Sequence, residues 1–244
     1  MKPVLLVRND PYECFGVAPG ALAAAHLDVL TVDATSPDTE LPPLEQVSGV
    51  VMLGGTVNVD QVHAYPHLAR VRAYTSEAVE RGVPYLGICL GSQILARASG
   101  TDVAQGPVRE VGFEPVRLLP GAADDPILSV LRETEMVLQW HEDTHALPEG
   151  ATLLGTSDRV PVQAYVIGDR AWGIQFHLEV DRWELEWWLG LADAEMDLAA
   201  TWGKSADTIR EEAVDHMARQ EERGREIFHR FAGVVREVNQ DAMS

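Results

Sequence analysis

Apolar residues in the first hundred positions come in short unbroken runs, each closed by Gly, Pro or Asp. "VLLV" (4–7) reads as a first strand and "LDVLTVDA" (27–34) as a second, after an Ala-rich helical segment near 21–26. "GVVMLGG" (49–55) is a buried strand that ends in two glycines, and "VPYLGI" (83–88) is another. Between these runs, "LARVRAYTSEAVERG" (68–82) repeats its apolar positions at helical spacing and stops at a glycine, and "SQILARASG" (92–100) reads as the next helix. Unbroken apolar strands alternating with helices predict a parallel sheet covered on both faces.

After Gly100 the texture changes. "FEPVRLL", "MVLQW", "ATLLGTS", "VQAYVIG" and "AWGIQFH" follow at short intervals, as strands and hairpins that complete the sheet, with "IGDRAWG" a hairpin turn. Toward the C-terminus Ile209, Ala213, Met217, Ile227, Phe231 and Val234 trace a helical stripe, with charges of both signs on the other faces. This predicts a helix packed on the domain's flank, with Gly224 as its weak point. No repeat or low-complexity linker marks off a second domain. The expected organisation is one domain over residues 1–190 and a helical extension, 191–244, packed on it.

The balance of 38 acidic against 19 basic residues gives the 244-residue chain a formal net charge of −19. Such a surface repels nucleic acid and anionic membranes, so neither is expected as a partner. Two cysteines, Cys14 and Cys89, make no disulfide framework, the N-terminal apolar run is too short for a signal peptide, and no stretch approaches a membrane span. The expected location is the cytoplasm, where a thiol stays reduced and can act as a catalyst.

Cys89 draws attention because "GICLGSQ" (87–93) sets it between two glycines, after a strand and before a helix. That is the form of a nucleophile elbow with Cys in place of Ser. A helix N-terminus stabilises a thiolate, and the N–H of Leu90, next in sequence, points at an oxyanion. A cysteine nucleophile needs a base. In "WGIQFHLEV", His177 ends an apolar strand and Glu179 stands two residues on, on the same face, where a carboxylate orients an imidazole. "LGGTVN" (53–58) ends a strand in Gly-Gly, so that Gly55 supplies a second oxyanion donor. Cys14 in "NDPYECFG" carries no paired motif and reads as a loop cysteine. The Trp-rich "DRWELEWWLG" (181–190) reads as core packing or as cover over the edge of the site. His141 and His145, four apart in a strand-like context, do not read as metal ligands.

"MLGGTVN", "GICLGSQ" and "GIQFHLEV", in this order and spacing, resemble the class I (triad) glutamine amidotransferases, and "GPVREVGFEPVRL" and "LQWHEDTHALPEGATLLGTS" resemble connecting segments of that family's stand-alone members. The resemblance covers about residues 4–180. It implies a flavodoxin-like, open, mostly parallel α/β sheet with helices on both faces. It implies Cys89 as nucleophile, His177 as base and acid, Glu179 as orienter, and Gly55 and Leu90 as oxyanion donors. Gln93 is implied beside the γ-glutamyl pocket, and Gln139, Trp140 and His141 around the substrate's amino-acid end, with a contribution from Glu110. Neither a metal nor an organic cofactor is implied. The implied partners are a small γ-glutamyl amide, most simply glutamine, and a separate synthetase or ammonia acceptor. Two positions depart from the family pattern: Leu178 stands where Pro is usual, and Glu142 where Gly is usual. Glu142 is expected either to disfavour a substrate carboxylate or to attract a cation. A γ-glutamyl peptidase, a γ-glutamyl-amine hydrolase and a non-catalytic binding subunit stay open as alternatives.

Overall fold

Nine strands, among the residues 2–241 that the computed structural model describes, form a single sheet. They are β1 (Val4–Arg8), β2 (Val29–Asp33), β3 (Gly49–Met52), β4 (Tyr85–Ile88), β5 (Val103–Leu118), β6 (Thr134–His145), β7 (Ala151–Thr156), β8 (Ala164–Ile167) and β9 (Ala171–Ile174). Their order is β2-β1-β3-β4-β9-β8-β7-β5-β6. The first five strands of that order are mutually parallel, and the remaining four continue the sheet as antiparallel neighbours. Helices α1 (Ala18–Ala24), α2 (His67–Glu80), α3 (Leu90–Ala98), α4 (Arg182–Glu195), α5 (Leu198–Trp202) and α6 (Ala206–Asp241) complete the fold.

The apolar runs are unbroken because both faces of the parallel half are covered. Val4 and Leu6 join the core beneath α1 and α6, whereas Leu5 and Val7 join the one beneath α2 and α3. Strand alternation thus divides four consecutive apolar residues between two cores. The hairpin expected at "IGDRAWG" joins β8 and β9, with Gly168 at φ 61°.

Helix α6 buries the whole expected stripe, from Ile209 to Val234. It runs unbroken through Gly224, which is no weak point. A Cβ there would lie 2.0 Å from the carbonyl oxygen of Leu178, so only glycine permits this approach. One turn earlier, Gln220 accepts from Leu138 N–H (2.9 Å) and donates to Val180 O (3.4 Å). The C-terminal helix therefore braces the segment 177–180 from behind.

Candidate active site

The carboxyl ends of β1, β3, β4 and β9 lead into loops around one cleft of about 590 Å³. The strand order reverses at β1, where open α/β sheets hold ligands. Cys89 lies between β4 and α3 at φ 50°, a left-handed backbone that side-chain-bearing residues rarely adopt. Its N–H still donates to Ile174 O (2.8 Å), while its carbonyl accepts from Ser92 and Gln93, so one residue ends the ladder and caps the helix. The flanking glycines make the turn close. A Cβ on Gly87 would lie 2.4 Å from the carbonyl oxygen of Gly91, and one on Gly91 would lie 1.9 Å from that of Met52.

His177 follows β9 and is pinned by its N–H, which donates to Leu138 O across a bridge to β6 (2.8 Å). Its Nδ1–H donates to Glu179 Oε1 (2.7 Å), and Glu179 Oε2 accepts from the N–H of Leu178 (2.9 Å). Proline has no such donor, so Leu178 adds a hydrogen bond to the carboxylate rather than disturbing it. The imidazole and Cys89 line the same cleft, and the Trp188 indole packs edge-on against the imidazole at 5.1 Å. Gly55 contacts Leu90: a Cβ on Gly55 would lie 2.8 Å from Leu90 Cδ2. Neither backbone N–H has a protein acceptor among the described residues.

Of the expected substrate-binding residues, Gln93, Trp140 and His141 line the cleft. Gln139 and Glu110 do not. Gln139 is buried and spends its amide donor on Gln163 Oε1 (3.0 Å). Glu110 faces His141 across the β5–β6 register and accepts from its Nε2 (2.9 Å), so it supports the wall from behind. Glu142 does line the cleft, but Arg109 (2.7 Å) and Gln105 (3.1 Å) donate to it, which offsets the extra negative charge. The Trp-rich segment forms α4. Trp188 covers the cleft, touching Trp140 at 5.8 Å, whereas Trp183 is 66% exposed.

The sequence model of the class-I glutamine amidotransferase family matches residues 20–184. The chain belongs to that family. Among curated amidotransferase relatives, the glutamine amidotransferase-like protein YfeJ of Salmonella typhimurium is 34% identical over 104 residues, 43% of this chain and 44% of its own length. GMP synthase of Bacteroides fragilis is 32% identical over 56% of this chain and 25% of its own length. The chain thus spans less than half the length of these two relatives. A glutamine-hydrolysing GMP synthase subunit from Halobacterium salinarum is 32% identical over 63% of this chain and 78% of its own. Crystal structures of glutamine amidotransferases from Thermotoga maritima and Methylobacillus flagellatus superpose with TM-scores of 0.84 at 27% and 26% identity, covering 95% of this chain and 98% and 94% of theirs.

Two residues that sequence reasoning missed complete this amidotransferase site. Gln175 accepts from Gln93 (3.2 Å) and directs its own amide at Cys89 Sγ (3.8 Å). It directly follows β9, two residues before His177. Glu13, in the loop after β1, lines the cleft beside His177. The signal for it was its position at the carboxyl end of a parallel strand.

Electrostatics at the site oppose burial. Burial pushes the His177 imidazole down, but the charge of Glu179, then the charge and hydrogen bond of Cys89, hold it well above its usual value. Glu184, in the first turn of α4, is buried, and burial and then the charge of Glu179 push its carboxyl up to about 8. The unfolded chain holds that proton only to about 4.5, so between the two values the folded state binds more protons and stability falls as pH rises. A Glu184→Gln variant keeps the acceptor used by Cys14 N–H and removes the titration. It is expected to lose less stability than wild type over that window, by on the order of 3 kcal/mol. Urea unfolding across the pH range measures this, and parallel curves for the two proteins would refute it.

Proposed function

We propose that the chain is a cysteine-dependent amidase that hydrolyses the γ-amide of glutamine, or of a γ-glutamyl amine, through a γ-glutamyl thioester. The observation that carries this reading is Cys89 on a left-handed turn at a helix N-terminus, sharing its cleft with a buried His177 that is bonded to Glu179. The Cys89 thiolate adds to the amide carbon, and the N–H groups of Gly55 and Leu90 receive the oxyanion. The C–N bond breaks as protonated His177 gives its proton to the leaving nitrogen. Water then adds to the thioester, His177 takes a proton from it, and the thiolate departs from glutamate. Glu179 holds the ring in place and balances its charge. Helices α4 and α5 bring Trp188, Met196 and Trp202 over the cleft. That cover favours a hydrolase acting alone over one feeding ammonia to a separate synthetase.

Alkylation by a glutamine-analogue electrophile tests the nucleophile, with Cys14 as internal control. Burial and then the charge of Glu184 push the Cys14 thiol up to about 11, so little of it is thiolate at neutral pH. Peptide mapping is expected to find the label on Cys89 first, with glutamine slowing it. Equal labelling of both cysteines would remove the support for this mechanism and favour a non-catalytic binding role.

A further inference from the structure

We infer that Glu13 recognises the leaving amine, and that this site is built for γ-glutamyl amides whose amine carries a second, cationic nitrogen. The inference rests on the amidase reading above for the orientation of the substrate.

That orientation follows from tetrahedral geometry. An amide carbon bonded to Cys89 Sγ has three other substituents. The oxygen faces Gly55 and Leu90. The nitrogen faces His177, which must protonate it. The glutamyl carbon takes the remaining direction, along β6, where Trp140 O lies 3.9 Å from Sγ. Whatever is attached to the leaving nitrogen therefore emerges on the His177 side of the cleft, and there it meets Glu13. A Cβ built on Gly54 would lie 2.7 Å from Glu13 Oε1 and 3.3 Å from His177 Cε1, so carboxyl and imidazole share one glycine's surface.

Glu13 differs from every other carboxylate lining the cleft. Asp10 accepts from Tyr12 and Thr56, Asp143 from Asn58 and Glu142 from Arg109, while Glu195 is exposed at the rim. Glu13 is 6% exposed, and its Oε2 has no hydrogen-bond partner. A buried polar atom left unpaired destabilises a fold, and this one belongs to a side chain that lines a ligand cleft. No Lys or Arg lines the cleft among the described residues. The loop is held rigidly: Trp188 Nε1 donates to Tyr12 O (3.1 Å), and Glu184 accepts from Cys14 N–H (2.5 Å). A fixed carboxyl in a cleft that Trp188 also lines suits an ammonium group.

The charged groups around Glu13 are Asp10 from its own loop, His177 and Glu179 after β9, and Glu184 from α4. Burial raises the carboxyl's proton affinity most. The charge of His177 opposes this, and Glu179, Glu184 and Asp10 add to it, so the surroundings shift Glu13 toward its protonated form. An arriving ammonium opposes that shift and favours the ionised carboxylate, which pairs with the cation.

The test uses the full chain with Cys89→Ala, titrated by calorimetry with the mono-γ-glutamyl amides of ethylenediamine and of propylamine, which are isosteric and differ by one charge. The ethylenediamine amide is expected to bind about 30-fold more tightly. Its binding is expected to release protons, read from buffers of different ionisation enthalpy. Adding Glu13→Gln is expected to remove both the preference and the proton release, whereas adding Glu195→Gln leaves them. Equal affinities, a preference that survives Glu13→Gln, or no binding of either amide would each overturn the inference. If the Glu13→Gln protein does not fold, the preference and the proton release of the Cys89→Ala protein decide alone. Glutamate release by the wild-type chain separates the two claims. Equal kcat/KM on both amides would overturn the inference and leave the amidase reading intact. Preferential binding with no glutamate from any amide would overturn the amidase reading and leave the recognition.

Discussion

Replacing Cys89 with alanine is expected to abolish glutamate release, by about 10⁴-fold or more, because no other group at the site can form the thioester. The loss is chemical rather than structural. Alanine is smaller than cysteine, and the turn is held by backbone bonds from Cys89 N–H to Ile174 O and from Ser92 and Gln93 to the Cys89 carbonyl, all of which alanine keeps. Binding of γ-glutamyl amides is expected to survive, and Cys14→Ala is expected to leave turnover unchanged, since no hydrogen bond to its thiol ties it to the cleft. Glutamate release is measured on the three proteins side by side. A Cys89→Ala protein that retains even about a tenth of wild-type turnover would sink the covalent mechanism.

A large structural effect is expected at Gly224→Ala. In an exposed helix interior this change stabilises by about 1 kcal/mol, since alanine is the better helix former. Here the new methyl would sit 2.0 Å from the Leu178 carbonyl oxygen and 3.1 Å from Val17 Cγ2. Either α6 shifts or the Leu178 peptide does, and that peptide joins His177 to Glu179. A loss of about 2 kcal/mol is expected, or roughly 4–8 °C in Tm, together with a fall in kcat. Gly233→Ala in the same helix is the control, because nothing lies within 4 Å of its Cβ position. Thermal unfolding of the pair checks this, and equal melting temperatures would contradict the close approach.

The parallel core was legible because its causes are local. Four apolar residues in a row at Val4–Val7 have to be covered on both faces, and the structure divides them between two cores. The elbow was legible for the same reason. A cysteine between two glycines, after a strand and before a helix, has few other conformations that explain both glycines, and the collisions awaiting a Cβ at Gly87 and Gly91 are within six residues or with the neighbouring strand. His177 and Glu179 were expected on one strand face, but β9 ends at Ile174; an isolated bridge to Leu138 holds His177, and the hydrogen bond to Glu179 forms beyond the strand.

Other parts of the site depend on segments far apart in sequence. Gly224 read as a helix defect because its neighbour, Leu178, is brought to it only by the packing of α6. Glu142 read as a free charge because Arg109 lies 33 residues away and meets it only across the β5–β6 pair. Gln139 and Glu110 read as substrate contacts because no local pattern says whether a polar residue of a strand faces a cleft or a buried network. Glu13 passed unnoticed for the same reason, its loop being held by Glu184 from 170 residues on from Cys14. By itself the sequence determined the sheet's core and the strained cysteine turn, since each follows from short-range sterics and strand alternation. Only the tertiary structure decided which carboxylates are neutralised and which one is left unpaired in the cleft, because the charge and burial of a side chain depend on whatever the fold brings beside it.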